Sequence, residues 1–526
     1  MTQAAQSQPL TFSDRFDLLK QRIDAVPRPL LIALVAIAPV LMTYAILTLH
    51  MQVRLTNYVP ADTNDGVSYY HEILTFSAVG FNSGYYTADE NPPPAAPLLR
   101  YDAHGPTFPM LYGTAAHFTG WTTYTAIFFN IAILVLCVVA FIRLARLNNF
   151  QIAVTGLLLA TFWYLIYFIP TSYEETLHDG IAMIVAGVFY ILISRDGEVS
   201  RRWQAGILIL LLVTGLLRIS WLLLLFPFLV LVMKPRTPVR VVIAILIASV
   251  LLAAIFALNF FLSAPDFYPS RSIVEGFVNY TFEDGMIRLL SVLIYNTKQY
   301  LSRTDLLTIV QNLQMVGVVV LAIVMRYRLM ASAGQNRATV PPQAIEMMFH
   351  FYNVTVIILL ALATYLTDGY FRVFAIQLLL SCLLLVAFKH YRAVLVIIAT
   401  HLLVVGAFLS FMTERLKSSF THDPAQLATM QESIAPYMVF DPHTENPWCN
   451  TVLISPSLFD YRMDMIPAGF GISFLHNRLT PHQPPFNSAF LLFDELTYNT
   501  YKDKMHAQLL SGGPMGLLYR NLDADC

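Results

Sequence analysis

Apolar runs about as long as a bilayer is thick constrain this chain more than any other feature. They cover about 29–49, 122–142, 150–169, 179–194, 205–233, 239–262, 306–325, 351–366, 371–388 and 393–411. A helix needs roughly 20 apolar residues to cross the hydrocarbon core, and there every backbone polar group must be satisfied within the protein. Only 12 % of the residues are charged, against 56 % hydrophobic. Soluble domains carry about 25 % charge, so this chain cannot cover a soluble surface of its size. Soluble enzymes, coiled coils and disordered chains are excluded. Lys and Arg number 32 against 33 Asp and Glu. That balance offers no basic excess for a nucleic-acid partner.

Basic clusters orient the runs, because short cytoplasmic loops are rich in Lys and Arg. They are Arg143/Arg146, Arg195/Arg201/Arg202, Lys234/Arg236/Arg240, Arg326/Arg328/Arg337 and Lys389/Arg392. The polar segment 1–28 joins them on the cytoplasmic side. No small-x-small cleavage site follows the first run, which reads as an uncleaved helix. The run 205–233 is flanked by basic clusters on both sides, so a single crossing would place one of them outside. Two short helices with Arg218 at an external tip keep both inside.

The expected fold is a polytopic α-helical membrane protein of about eleven transmembrane helices. Its transmembrane part is 29–411, with an external loop at 50–121 containing interfacial helices. External segments also fall at 170–178, 263–305 and 367–372. The tail 412–526 changes character, with many prolines and short β-like runs at Thr451–Ile454, Gly471–Leu475, Ala489–Phe493 and Leu517–Tyr519. It reads as a small soluble extracytoplasmic α/β domain.

Candidate chemistry gathers in the external segments. Asp65 opens an amphipathic stretch running to about Phe76, just beyond the first helix. It either caps that helix or does chemistry at the membrane surface, and the sequence leaves both open. Asp62 is a weaker version of the same signal. The first loop closes with Asp102 and His104 ahead of Gly105-Pro106 and a short apolar stretch, the pattern of a helix lying in the interface. Those two residues either order the loop or bind a substrate or metal. Glu174, Glu175, His178 and Asp179 crowd the second loop. Capping needs one acid, not three, which favours a site. Arg218 interrupts an apolar run, where a charge at mid-membrane costs about 2.5–3.5 kcal/mol on insertion scales. Arg372 opens a late span, where snorkelling to the head groups would also explain it.

Taken together, these motifs resemble the GT-C superfamily of membrane glycosyltransferases, which includes protein O-mannosyltransferases and lipid A aminoarabinose transferases. Asp65-Gly66-Val67-Ser68-Tyr69-Tyr70 looks like the family's first-loop motif. His104-Gly105-Pro106-Thr107-Phe108-Pro109 is similar to its His-Pro-Pro-Leu segment, with Gly at the second position. Glu174, Glu175 and Asp179 fall in the acidic second-loop region. Leu217-Arg218-Ile219-Ser220-Trp221 resembles the basic tip between the fifth and sixth helices, and Tyr370-Phe371-Arg372 resembles an Arg before a late span.

The resemblance implies an inverting transfer of a sugar from a polyprenyl-phosphate donor to a glycan, lipid or protein acceptor. Asp65 would be the general base. Asp102, His104, Glu174, Glu175 and Tyr69 would line the substrate site, and Arg218 and Arg372 would hold the donor phosphate. A divalent metal, if needed, would draw on Asp65, Glu175 or His104. The chain would sit in the inner (plasma) membrane among its lipids, N-terminus inside and C-terminus outside.

Two rivals stand beside this reading. A transporter should place ionisable residues within its spans and show related halves, whereas here the acids gather in loops. A polysaccharide ligase or polymerase would use a later external loop, with Arg271, Glu275, Glu283, Asp284 and Arg288 as its candidates. Cys137 and Cys382 lie in apolar runs as small hydrophobes. Cys449 and Cys526 would share an oxidising compartment, where they either bond or remain two free thiols.

Overall fold

The computed structural model describes residues 12–53, 65–101, 105–262, 281–332, 341–364, 370–411, 424–459, 465–475, 482–513 and 516–526. An amphipathic helix α1 (Phe12–Asp24) leads into α2 (Arg28–Tyr44), which continues as a π-helical turn to His50. In the first loop lie α3 (Asp65–Val79) and α4 (Thr107–Thr119). The bundle continues with α5 (Thr123–Leu144), α6 (Asn149–Thr161), α7 (Trp163–Phe168), α8 (Glu175–Ser194), α9 (Arg201–Leu217), α10 (Leu225–Val232) and α11 (Pro238–Leu262). It closes with α12 (Phe282–Leu301), α13 (Leu306–Ser332), α14 (Pro342–Thr364), α15 (Tyr370–Ala387) and α16 (Tyr391–Phe411). Six of the described helices are long and apolar enough to cross a membrane, and four shorter ones are apolar.

Polar punctuation sets the helix starts. Thr122 accepts from the Thr125 N–H, and Ser200 from that of Trp203. Asn148 with Gln151, and Thr281 with Asp284, form reciprocal capping boxes. Each satisfies donors that a helix start leaves orphaned.

One run differs from expectation, and another divides at the residue where the sequence reading put a tip. The run 150–169 is not one helix. It breaks at Phe162, whose φ of −71° and ψ of 97° are extended. The run 205–233 breaks at Arg218, also extended at φ −152° and ψ 121°. A 3₁₀ stretch (Ile219–Leu224) then leads to α10. Leu222 folds back onto Gly215, where a Cβ would collide with its side chain. The Asn259 amide takes up the Gly215 carbonyl at 3.1 Å, so the chain reverses without leaving that group orphaned.

The bundle has two chemically distinct ends, separated along α8 by its 20 residues, or about 30 Å. One end collects basic clusters. Arg28 donates to the Leu147 carbonyl at 2.8 Å, and Lys234 lies 2.8 Å from Asp196. Gln151 donates to the Ala387 carbonyl at 2.9 Å, closing α6 on the end of α15. The other end carries the start of α8, the break at Arg218 and the start of α15.

All four β-like runs of the tail are strands: β2 (Thr451–Ile454), β3 (Gly471–Phe474), β4 (Phe490–Phe493) and β6 (Gly516–Asn521). The sheet also takes β5 (Ala507–Gly513) and, from the first loop, the two-residue edge strand β1 (Thr87–Ala88). Its order is β1-β3-β2-β4-β6-β5. The four strands β1 to β4 are parallel, and the β4–β6 and β6–β5 pairs are antiparallel. Cys449 and Cys526 are bonded, with Cα atoms 5.6 Å apart. Cys137 and Cys382 are buried thiols.

The tail therefore does not stand apart from the first loop. Gly84 and Gly471 pass so closely that a Cβ on either would strike the other strand's backbone. The Glu90 carboxylate accepts from the N–H groups of Asn487 (2.8 Å) and Ser488 (2.6 Å) and pairs with His482 at 3.0 Å. On α3, Val67 joins the tail's apolar core with Met430, Ile434 and Ile472. His71 reaches the Ile466 carbonyl through Nε2 at 3.1 Å and the Tyr86 hydroxyl through Nδ1 at 2.9 Å. Burial pushes the His71 imidazole down to about 4, so it is neutral at physiological pH.

Candidate active site

Glu174 and Glu175 reach the site because the turn before α8 is tied down by a buried amide. Asn130, alone among apolar neighbours in α5, donates to the carbonyls of Ile169 (3.0 Å) and Thr171 (2.7 Å). Its own oxygen accepts from the Tyr112 hydroxyl on α4 at 3.0 Å. Phe108 packs on Tyr112 with ring centres 4.6 Å apart, and Tyr69 of α3 stands edge-on to Phe108 at 5.2 Å. The first loop and the turn before α8 are thereby coupled through one polar and aromatic chain.

Arg218 arrives from the break after α9. Its Nη2 donates to Glu174 Oε1 at 2.7 Å and to Glu175 Oε1 at 2.9 Å, and its Nε lies 3.3 Å from Glu174 Oε1. The side chain is 8 % exposed, and those of Glu174 and Glu175 are 1 % and 2 % exposed. Arg372, at the start of α15, approaches Glu175 Oε1 at 3.5 Å and lies 5.3 Å over the Tyr173 ring. It is more open, at 24 %. Three chain segments thus converge in an alternating array of acids and guanidinium groups, which offsets the cost of burying each charge. The start of α8 adds its positive dipole end beneath the two carboxylates.

One turn deeper, Asp179 is buried, and among the described residues its Oδ1 has no hydrogen-bond partner, as is true of Glu175 Oε2 and Thr176 Oγ1. His178, one of the titratable groups crowding the second loop, and Trp221, to which the sequence reading gave no site role, complete this layer. Trp221 Nε1 donates to His178 Nδ1 at 3.0 Å, and His178 Nε2 lies 3.4 Å from Glu174 Oε1.

Four of the sequence candidates, Glu174, Glu175, Arg218 and Arg372, are brought together. Tyr69 is buried in α3 against Phe108. Asp65 is the first residue of α3, one position inside the expected cap. Its side chain, together with Asp62, Asp102 and His104, lies outside the described residues. Among the described residues no group of three or more His, Cys, Asp or Glu side chains is placed to hold a metal ion. The suggested metal set of Asp65, Glu175 and His104 therefore rests on side chains outside that description. Of the rival set, Arg271 and Glu275 are outside it too. Asp284 is engaged in capping, accepting from the Thr281 hydroxyl at 2.7 Å.

No family model and no curated protein sequence matches the chain. Among solved structures it is similar to ArnT from Cupriavidus metallidurans, with 13 % identity and a TM-score of 0.42 over 92 % of this chain and 98 % of that one. A second ArnT structure, bound to undecaprenyl phosphate, matches with the same figures. The Archaeoglobus fulgidus oligosaccharyltransferase, tethered to an acceptor peptide, matches with 12 % identity and a TM-score of 0.45. That match covers 85 % of this chain and 64 % of the other.

Proposed function

We propose that the chain is an integral membrane glycosyltransferase of the inner membrane that moves a sugar from a polyprenyl phosphate to an acceptor on the extracytoplasmic side. The observation that carries this reading is the convergence of Glu174, Glu175, Arg218 and Arg372 at one end of the bundle. The first loop, which bears Asp65, is tied to that end through Tyr112 and Asn130. About eleven spans, with the basic end of the bundle cytoplasmic, belong to the same proposal. So does the division into segments 1–28, 29–411 and 412–526.

The chemistry follows from what such a reaction demands. An acceptor hydroxyl is a weak nucleophile, and a positioned carboxylate speeds its attack by about 10²–10⁴. Asp65 takes the hydroxyl proton as the oxygen attacks the anomeric carbon. The bond from that carbon to the phosphate oxygen breaks, and the electron pair leaves with the polyprenyl phosphate. A single displacement inverts the anomeric centre. Guanidinium groups stabilise the charge growing on the phosphate, and Arg372, the more open of the two, makes the first contact while Arg218 completes the field. Glu174, Glu175, Asp102 and His104 orient the acceptor, and Tyr69 supports the wall of the site.

Asp65→Asn tests the base. Asn caps a helix as well as Asp but cannot accept the proton. Catalysis by Asp65 predicts a turnover loss of about 10²-fold or more with normal folding, while Asp62→Asn stays mild. A capping role predicts near-normal turnover in Asp65→Asn, and that result removes Asp65 from the mechanism.

A further inference from the structure

Behind the acids and arginines of the site lie two buried rings, His178 and Trp221. Trp221 follows Arg218 in the 3₁₀ turn, so one short stretch supplies both the guanidinium on Glu174 and the indole on His178. An indole N–H can only donate. Its 3.0 Å contact therefore requires a lone pair on His178 Nδ1, and the remaining ring proton must sit on Nε2. That nitrogen faces Glu174 Oε1 at 3.4 Å, close enough for attraction but off the axis of a hydrogen bond. Such contacts commonly tighten only when substrate is bound. His178 and Trp221 are both fully buried, and their ring centres are 6.2 Å apart. Gly180 lies so close against Cys137 of α5 that a Cβ there would collide with its sulfur.

We propose that His178, locked by Trp221 as the neutral Nε2–H tautomer, is a positioning residue that steers the Glu174 carboxylate. Glu174 Oε1 is then gripped from two sides, by Arg218 through charge and by His178 through a neutral donor. A neutral donor orients the carboxylate without cancelling its charge, leaving that charge available to Arg218 and to a substrate hydroxyl. The role rests on the sugar-transfer reading, but the tautomer itself does not.

Two measurements on the full chain test it. The first is ¹⁵N NMR of histidine-labelled protein in lipid nanodiscs, with the His178 signal assigned by its loss in His178→Gln. A protonated Nε2 and an unprotonated Nδ1 are expected, and Trp221→Phe should release the ring into a mixture of tautomers. A wild-type ring protonated on Nδ1, or one unchanged in Trp221→Phe, overturns the proposal. The second is turnover per folded molecule. In His178→Gln the amide nitrogen falls near the lost Nε2, so turnover should stay within about tenfold of wild type. In His178→Asn it falls near Nδ1, and turnover should drop about 10²-fold with KM little changed, the size of a misplaced catalytic geometry. Equal turnover in the two variants overturns the positioning role, because a merely structural histidine would shift only their thermal stability. A locked tautomer in a protein that transfers no sugar supports the His178–Trp221 device and overturns the sugar-transfer reading.

Discussion

Replacing Arg218 with Met should destabilise the protein before it says anything about substrate. The guanidinium is the shared partner of two carboxylates, at 2.7 Å from Glu174 and 2.9 Å from Glu175. Met fills much of the same volume but leaves both acids buried with less cation. Breaking a buried pair by removing one partner costs about 3–5 kcal/mol. A unit-charge interaction at about 4 Å is of the same size, about 4 kcal/mol, at an effective dielectric constant near 20. Glu175 keeps Arg372 at 3.5 Å, so most of the loss falls on Glu174. The combined variant Arg218→Met, Glu174→Gln removes one charge of each sign and should recover more than half of the loss. Thermal melting in detergent, followed by size-exclusion chromatography of the surviving fraction, reads both effects. Wild-type melting in Arg218→Met, or a double variant weaker than the single, would refute the claim that this pairing carries stability.

Two further predictions concern the tail, one its contact with the first loop and one a bond within it. The hydrogen bond to Glu90 raises the His482 imidazole above its ordinary value. A raised folded value means the stabilisation is fully present below the unfolded value of about 6.5 and is lost as pH rises through the folded one. Protease cleavage within the first loop should therefore quicken as pH rises above about 6.5, and His482→Gln should abolish that pH dependence. The Cys449–Cys526 bond closes a 77-residue separation, for which chain entropy gives about 4–5 kcal/mol. Intact mass should rise by two hydrogen atoms on reduction, and an unchanged mass would exclude the bond.

Hydropathy made the bundle legible because lipid leaves a span few alternatives. Every apolar run of the sequence reading corresponds to helix, and only the breaks at Phe162 and Arg218 divide runs. The Arg218 break could be argued from the basic clusters on both sides, whereas Phe162 carries no Gly, Pro or charge to announce it. The four hydrophobic tail strands were equally readable. Thr87–Ala88 was not, because two residues carry no period and their pairing with β3 is long-range. The amphipathic helix α12 offered a signal in its Thr281-x-x-Asp284 capping box. Of the site, the acids and arginines stood out because charge is rare in this chain. The pairing of His178 with Trp221 did not, since a histidine and a tryptophan 43 positions apart become partners only once the chain reverses at Arg218. Asn130 was a lone amide in an apolar run, a signal available to the reading but not taken up.

The most direct test of the account is sugar transfer by the purified full chain in proteoliposomes. The vesicles would carry a panel of polyprenyl-phosphate sugars with the sugar labelled, and candidate glycan, lipid and peptide acceptors would be supplied. The account predicts label covalently bound to an acceptor, release of polyprenyl phosphate in equal amount, and inversion at the anomeric carbon. Label that crosses the bilayer while still attached to its lipid, with no acceptor modified, would contradict it and identify a transporter instead.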